Sequence, residues 1–186
     1  MHRRKLIRLL ESHRPFDAHE SRCLERILRF VRATPACFER SCREGHVTGS
    51  AWLIHPDGER VLLTHHRKLG GWLQPGGHAD GDPDVLAVAL REAREESGLS
   101  DIRPLSESIF DVDVHAIAAR AGEPAHLHYD VRFLLQAGDD RIRIGEESLD
   151  LRWFTPEELD RLEVDDSVRR MRRKWRSTPR PIPFVR

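Results

Sequence analysis

Long apolar runs are missing from this chain, and so is any excess of one charge. No segment approaches the ~20 apolar residues needed to cross a bilayer. The basic opening Met1-His2-Arg3-Arg4-Lys5 leads into Leu6-Ile7-Arg8-Leu9-Leu10, too short and too charged for a secretory signal. A membrane partner is therefore not expected, and the cytoplasm is the expected compartment. The 31 Lys and Arg balance 31 Asp and Glu, removing the positive excess on which general nucleic-acid binders rely. Cysteine is scarce: Cys23, Cys37 and Cys42 have no Cys-x-x-Cys spacing, so neither a disulfide framework nor a thiolate zinc site is expected, and the thiols read as reduced. Histidines are more numerous, but His65-His66 and His126-x-His128 sit in or beside strand candidates with no matching ligand set, so no zinc site is expected from them.

What the chain does have fits one substantial domain with a buried core: 186 residues, 39% hydrophobic and 33% charged. Its most informative stretch runs from Pro75 to Leu99. Pro75, Gly76 and Gly77 break the preceding segment, Asp80 to Asp84 supply turn and helix-start chemistry, and Gly98 stands where a helix end wants a left-handed residue. In the helix between them, Leu86, Ala89, Leu90, Ala93 and Ser97 are expected to form a stripe that packs on a sheet. Glu92, Glu95 and Glu96 converge on another side, where like charges at helical spacing repel by a few tenths of a kcal/mol, ~0.2–0.5 per pair. A solvated acidic face is one reading. A hard divalent cation joining the three carboxylates is the other, and Mg²⁺ or Mn²⁺ matches oxygen donors.

These residues resemble the signature of the Nudix hydrolases, in which a glycine is followed after fixed gaps by a glutamate and then by Arg-Glu-apolar-any-Glu-Glu-any-Gly-apolar. Gly77 opens it, and Arg91-Glu92-Ala93-Arg94-Glu95-Glu96-Ser97-Gly98-Leu99 closes it in register. One position departs: Pro83, between Asp82 and Asp84, stands where the family carries its first Glu. The resemblance implies a Nudix-like α/β/α sandwich with a mixed sheet, and cleavage of a diphosphate linkage in a nucleoside diphosphate derivative by water attack on phosphorus. It implies Glu95 and Glu96 as the main metal ligands, Glu92 as a further one, and the Gly77 carbonyl nearby. Arg91 would orient a box carboxylate. Its family partner is absent, and Asp82 or Asp84 is the expected substitute.

The rest of the chain is read on its own. Residues 1–44 form an N-terminal helical extension: Leu6, Leu9 and Leu10 recur at helical spacing up to Pro15, then Leu24, Ile27, Leu28 and Val31 up to Pro35. Packing, homodimerisation or capping of a substrate are its candidate roles. A Nudix-like domain over 45–178 follows, then a Pro-rich tail over 179–186. Val47–Ile54 and Arg60–Thr64 flank Pro56-Asp57-Gly58 and read as a hairpin. Ser106–Ala119, His126–Ala137 and Leu149–Phe154 are further strands, and Thr155-Pro156-Glu157-Glu158 starts a helix. Ser167–Arg176 is strongly basic, which reads as a solvated helix face ahead of a nucleic-acid patch.

For the general base, the acidic loop Gly145-Glu146-Glu147-Ser148 is the candidate outside the box, making Glu146 or Glu147 the acid–base residue and an exposed turn the alternative. Trp52, Trp72, Tyr129 and Trp153 offer base-stacking or core packing. The small-molecule partner is a nucleotide: a nucleotide sugar, a dinucleotide or a modified nucleoside triphosphate. A nucleotide-binding module that kept the fold but lost turnover is the alternative that Pro83 admits.

Overall fold

A computed structural model describes residues 2–67, 70–119, 124–145 and 148–178. Its elements run α1 (Arg4–Ser12), α2 (Ala18–Ala33), β1 (Gly45–Ile54), β2 (Val61–His66), β3 (Trp72–Leu73), β4 (Gly76–His78), α3 (Val85–Ser97), β5 (Ile102–Ile117), β6 (His126–Ala137), β7 (Ser148–Phe154), α4 (Pro156–Arg161) and α5 (Asp166–Ser177). The proposed tail over 179–186 lies outside the described residues.

The strands form one mixed sheet in the order β3-β2-β1-β6-β5, with β4 added to β1 and β7 to β2. At its centre β1 and β6 run parallel from Gly45↔Leu127 to Ile54↔Gln136. Every residue of β1 is buried, as a strand covered on both faces must be. The expected hairpin forms, but β1 and β2 pair only at Ile54↔Val61. Further back β1 turns to β4 through Thr48↔His78, Gly49↔Gly77 and Ser50↔Gly76, while β2 pairs β3 and β7. The sheet therefore forks beside β1, and Gly76-Gly77 lies in the fork.

Successive strand residues point to opposite faces and build two cores. Ala51, Leu53, Phe133 and Leu135 join Leu6, Leu10, Ile27, Val31, Val88 and Ala89 on one side. Trp52, Ile54 and Leu134 join Phe154, Val168, Met171 and Trp175 on the other. This is the expected α/β/α sandwich. The N-terminal helices share the first core, and Phe30 stacks on Tyr129 at 3.9 Å between ring centres. Full burial of a Leu, Ile or Val side chain contributes ~1.5–3 kcal/mol, so Leu6, Leu10, Ile27 and Val31 hold α1 and α2 on the sheet. Trp52 and Tyr129 are thus core residues and unavailable for base stacking.

Helix α3 begins and ends where its local chemistry dictates. The Asp84 side chain accepts the Ala87 N–H as N-cap, and Gly98 closes the helix in the left-handed region at φ 69°. Its buried face is rotated slightly from the expected stripe: Val85, Val88, Ala89, Ala93 and Ser97 are buried, whereas Leu86 and Leu90 are partly covered. Small residues meet β1 because the backbones approach closely there. A Cβ on Gly49 would lie 2.8 Å from the Val85 carbonyl oxygen.

The basic segment departs most from expectation. It forms α5, but Arg170 and Lys174 turn inward and are buried. Arg170 donates to Asp111 at 2.9 Å, and Lys174 donates to Glu20 of α2 at 2.5 Å. Arg172 and Arg176 pair with Asp160, and Arg173 pairs with Asp17. A run that the sequence presents as a solvated cationic face is thus largely compensated by carboxylates from distant elements. Glu20 also accepts the Val112 N–H at 3.2 Å, satisfying an amide of the sheet's last strand. Burial raises the Glu20 pKa, but hydrogen bonds from His13 and Lys174 more than offset it and hold it at about 2.

Candidate active site

The fork in the sheet opens into a cleft of about 1090 Å³. Helix α3 supplies one wall. Because positions i, i+3 and i+4 share a helix face, Glu92, Glu95 and Glu96 all line the cleft, against the backbone of Gly76 and Gly77 from β4. Glu96 Oε1 accepts the Gly76 N–H at 2.8 Å. Glu92 presses its carboxylate against Gly77 so closely that any Cβ there would collide with it. Glu95 is the solvent-facing member, 61% exposed at its side chain.

This donor set fits a hard divalent ion: three carboxylates in one patch, with a cradle that only glycine permits. The electrostatics agree. Desolvation raises the Glu92 pKa above the ordinary carboxylate value, and Glu95 adds to that, against the opposing pull of Arg91. A bound cation would relieve both the burial and the repulsion.

Arg91 donates to Glu92 Oε1 at 2.6 Å and to the His78 carbonyl at 2.8 Å, tying helix to β4. It therefore orients a carboxylate of the box, but its partner is not Asp82 or Asp84. Asp82 accepts the Asp84 N–H at 2.9 Å, and Asp84 is occupied as the α3 N-cap and in an ion pair with Lys5. Both side chains are too short and too committed locally to replace the missing glutamate.

Changing Gly77 to Ala should separate site geometry from stability. The added methyl meets the movable end of Glu92 rather than backbone. We expect a Tm close to that of the parent together with loss of most turnover, as the Glu92 carboxylate is pushed aside. An active Gly77→Ala variant would remove the cradle from the argument.

The rest of the cleft is polar. Asp130 is buried and accepts from Thr48 at 2.9 Å, Ser50 at 2.7 Å and Arg132 at 2.7 Å. Among the aromatic candidates, Trp72 lines the cleft, packed edge-on against Phe154 at 4.8 Å and His65 at 5.2 Å. Trp153 instead donates its indole N–H to the Asp140 carbonyl at 3.1 Å. Arg40 also lines the cleft and pairs with Asp80, whose pKa its hydrogen bond lowers.

Histidines corrected the reading of the sequence. His46, His78, His126 and His128 come from three separate segments and stand together beside this cleft, so candidate ligands do converge there. The i, i+2 spacing of His126 and His128 on one strand was the available signal; the register that brings His46 beside them was not. Glu146 and Glu147 lie outside the described residues. Their described flanks are anchored near the site: the Arg143 N–H donates to the Ser97 carbonyl at 2.8 Å, and Ser148 Oγ meets Thr64 Oγ1 at 2.6 Å.

Comparison with known proteins accords with this geometry. A family model described as the NUDIX domain matches residues 45–175. A curated relative, "Putative 8-oxo-dGTP diphosphatase 3" of Mycobacterium tuberculosis, is 28% identical over 74% of this chain and 66% of its own length. Among solved structures, the MutT NUDIX hydrolase of Burkholderia pseudomallei is similar with TM-score 0.53 and 26% identity, covering 69% of this chain and 95% of that one. A C. elegans Ap4A hydrolase binary complex is similar in fold with TM-score 0.57 and 17% identity, covering 70% of this chain and 95% of that one.

Proposed function

The chain belongs to the Nudix family, and from that premise we propose that it is a pyrophosphohydrolase that cleaves a diphosphate linkage in a nucleoside diphosphate derivative with the help of Mg²⁺ or Mn²⁺. The observation that carries this reading is the convergence of Glu92, Glu95 and Glu96 on the Gly76-Gly77 backbone at the wall of the cleft. Glu95 and Glu96, with Glu92 and the Gly77 carbonyl, would hold the ion. When bound, such an ion offsets charge on the diphosphate and lowers the pKa of a water.

The chain's own residues do the rest. Arg91 fixes Glu92 against β4 so that the carboxylate patch needs no reorganisation as the substrate arrives. Trp72 supplies an aromatic face for a base. In the reaction a water oxygen bonds to phosphorus, the bridging P–O bond breaks, and two phosphorylated products leave. The proton lost by water needs a base. Loop 145–148 is our candidate for it, supported by its flanks: Gly145 lies near the Glu95 carbonyl, and Ser148 of β7 pairs with His66 of β2, which lines the cleft.

We expect Glu146→Gln or Glu147→Gln to lower kcat by ~10²–10⁴, the usual contribution of general base catalysis, with the Mg²⁺ dependence nearly unchanged. Parental kcat and pH–rate profiles in both variants would move the base to Glu92.

A panel of nucleotide derivatives tests the reading as a whole. It should include 8-oxo-dGTP, prompted by the name of the Mycobacterium relative, with nucleotide sugars and dinucleotides. Phosphorylated products should appear only with Mg²⁺ or Mn²⁺. Nucleotide binding with no turnover of any member at stoichiometric enzyme would favour a non-catalytic module, which Pro83 alone recommends.

A further inference from the structure

We infer that His46, His78, His126 and His128 form a second metal site, taking one borderline transition-metal ion of the Zn²⁺ class. Their candidate ligand nitrogens all lie within 4.8 Å of one another. Parallel pairing sets His46 beside His128, the strand period puts His126 on the same face as His128, and Thr48↔His78 brings β4 alongside. Ring centres are 4.8 Å apart for His46–His78 and His46–His126, and 5.0 Å for His78–His128.

Two observations separate this cluster from imidazoles that merely pack. His46 is 2% exposed, and neither of its ring nitrogens has a hydrogen-bond partner among the described residues. Buried polar atoms are ordinarily satisfied, and a coordinate bond would satisfy one of these. In His126, Nδ1 faces the Pro124 carbonyl at 2.9 Å. A carbonyl only accepts, so Nδ1 carries the proton and Nε2 keeps its lone pair, the second-sphere arrangement that fixes a ligating tautomer. That Nε2 lies 3.2 Å from Nε2 of His128. Nitrogens ~2.0–2.1 Å from a tetrahedral ion are ~3.3–3.4 Å apart, so this pair already stands at ligand spacing. Burial and the neighbouring rings press the His46 pKa down to about 4 and that of His128 to about 2, keeping both in the neutral form that ligates.

Donor chemistry distinguishes this site from the carboxylate patch. Imidazole nitrogens suit Zn²⁺ and its first-row neighbours, whereas carboxylates suit Mg²⁺ and Mn²⁺. His78, His126 and His128 line the same cleft as Glu92, Glu95 and Glu96. Four protein ligands fill a tetrahedral shell and leave no open position for a reacting water. The ion's role is therefore to tie β1, β4 and β6 together and to add positive charge to the cleft wall. It does not depend on the proposed hydrolysis.

The test is metal binding by tag-free, chelator-stripped protein titrated with Zn²⁺ alone and with Co²⁺ alone. Expected are about one Zn²⁺ per chain, the intense visible bands of tetrahedral Co²⁺, and a higher Tm with Zn²⁺. All three should be lost in His46→Ala and His128→Ala and kept in Glu95→Gln. The absence of a tetrahedral Co²⁺ spectrum in the parent protein overturns the proposal, and that reading stands even if the histidine variants fail to fold. Unchanged stoichiometry in both histidine variants, or its loss in Glu95→Gln, overturns it equally.

Discussion

Glu96→Gln and Glu95→Gln should each lower turnover at limiting Mg²⁺ by at least about 100-fold if these carboxylates hold the ion as proposed, because metal affinity follows ligand charge and disturbing even the supporting shell of a metal site costs 10–100-fold. The two substitutions test the same role by different routes. Glu96 Oε1 accepts the Gly76 N–H, and the amide oxygen of Gln can keep that bond, so the β4 loop holds while the charge is lost. Glu95 is mostly exposed, and among the described residues its one ion pair is a long one to Arg91, at 3.6 Å, so its loss should leave the fold untouched. Both variants should therefore melt with the parent, and raising Mg²⁺ should recover part of the rate by mass action. Near-parental rates in both at limiting Mg²⁺ would remove the carboxylates from the metal site.

How much of this was written in the sequence depends on the distance over which each feature is encoded. Helix α3 was legible because its signals are local: Asp84 caps it, Gly98 ends it, and the box residues follow one another on a single helix. The rotation of its buried face toward Val85 and Val88 was less so. Leu86 and Leu90 are the more hydrophobic residues, and only the close approach of β1 at Gly49 decides that smaller side chains face inward. The histidine cluster needed the β1–β6 register, which pairs His46 with His128 across four intervening strands and helix α3 and which no local pattern states. Asp82 and Asp84 looked available to Arg91 until their own backbone contacts were seen.

The inward turn of α5 was hidden for a related reason. Val168, Met171 and Trp175 mark its buried stripe, and Arg170 and Lys174 lie close enough to that stripe to be carried inside. Whether they can remain there depends on Asp111, Asp113 and Glu20, which come from a strand and a helix far away in sequence.

That buried network carries the second large effect. Arg132 is 1% exposed and bonds Asp130 at 2.7 Å and Asp111 at 3.1 Å, with Asp113 at 3.6 Å. Burial by itself would push the Asp113 pKa up, but His115, Arg132 and Arg170 more than offset this and hold it well below the usual carboxylate range. Arg132→Met preserves much of the apolar stem while removing the charge, leaving buried carboxylates short of a partner. Breaking such a pair costs ~3–5 kcal/mol, against the ~5–15 kcal/mol that holds a typical domain together. At ~2–4 °C per kcal/mol for a chain of this size, Tm should fall by roughly 6–20 °C. The exposed pair Arg141–Asp139 serves as control, and Arg141→Ala should leave Tm unchanged. The pH dependence identifies the cause. Groups whose folded pKa is depressed, such as Glu20 and Asp113, stabilise the parent above their unfolded values near ~4, and that stability is lost as pH falls through the folded ones. In Arg132→Met the stranded carboxylates are relieved by the same protons, so the gap in Tm between variant and parent should narrow on acidification toward pH ~4. A gap that stays constant with pH would assign the loss to packing and not to charge.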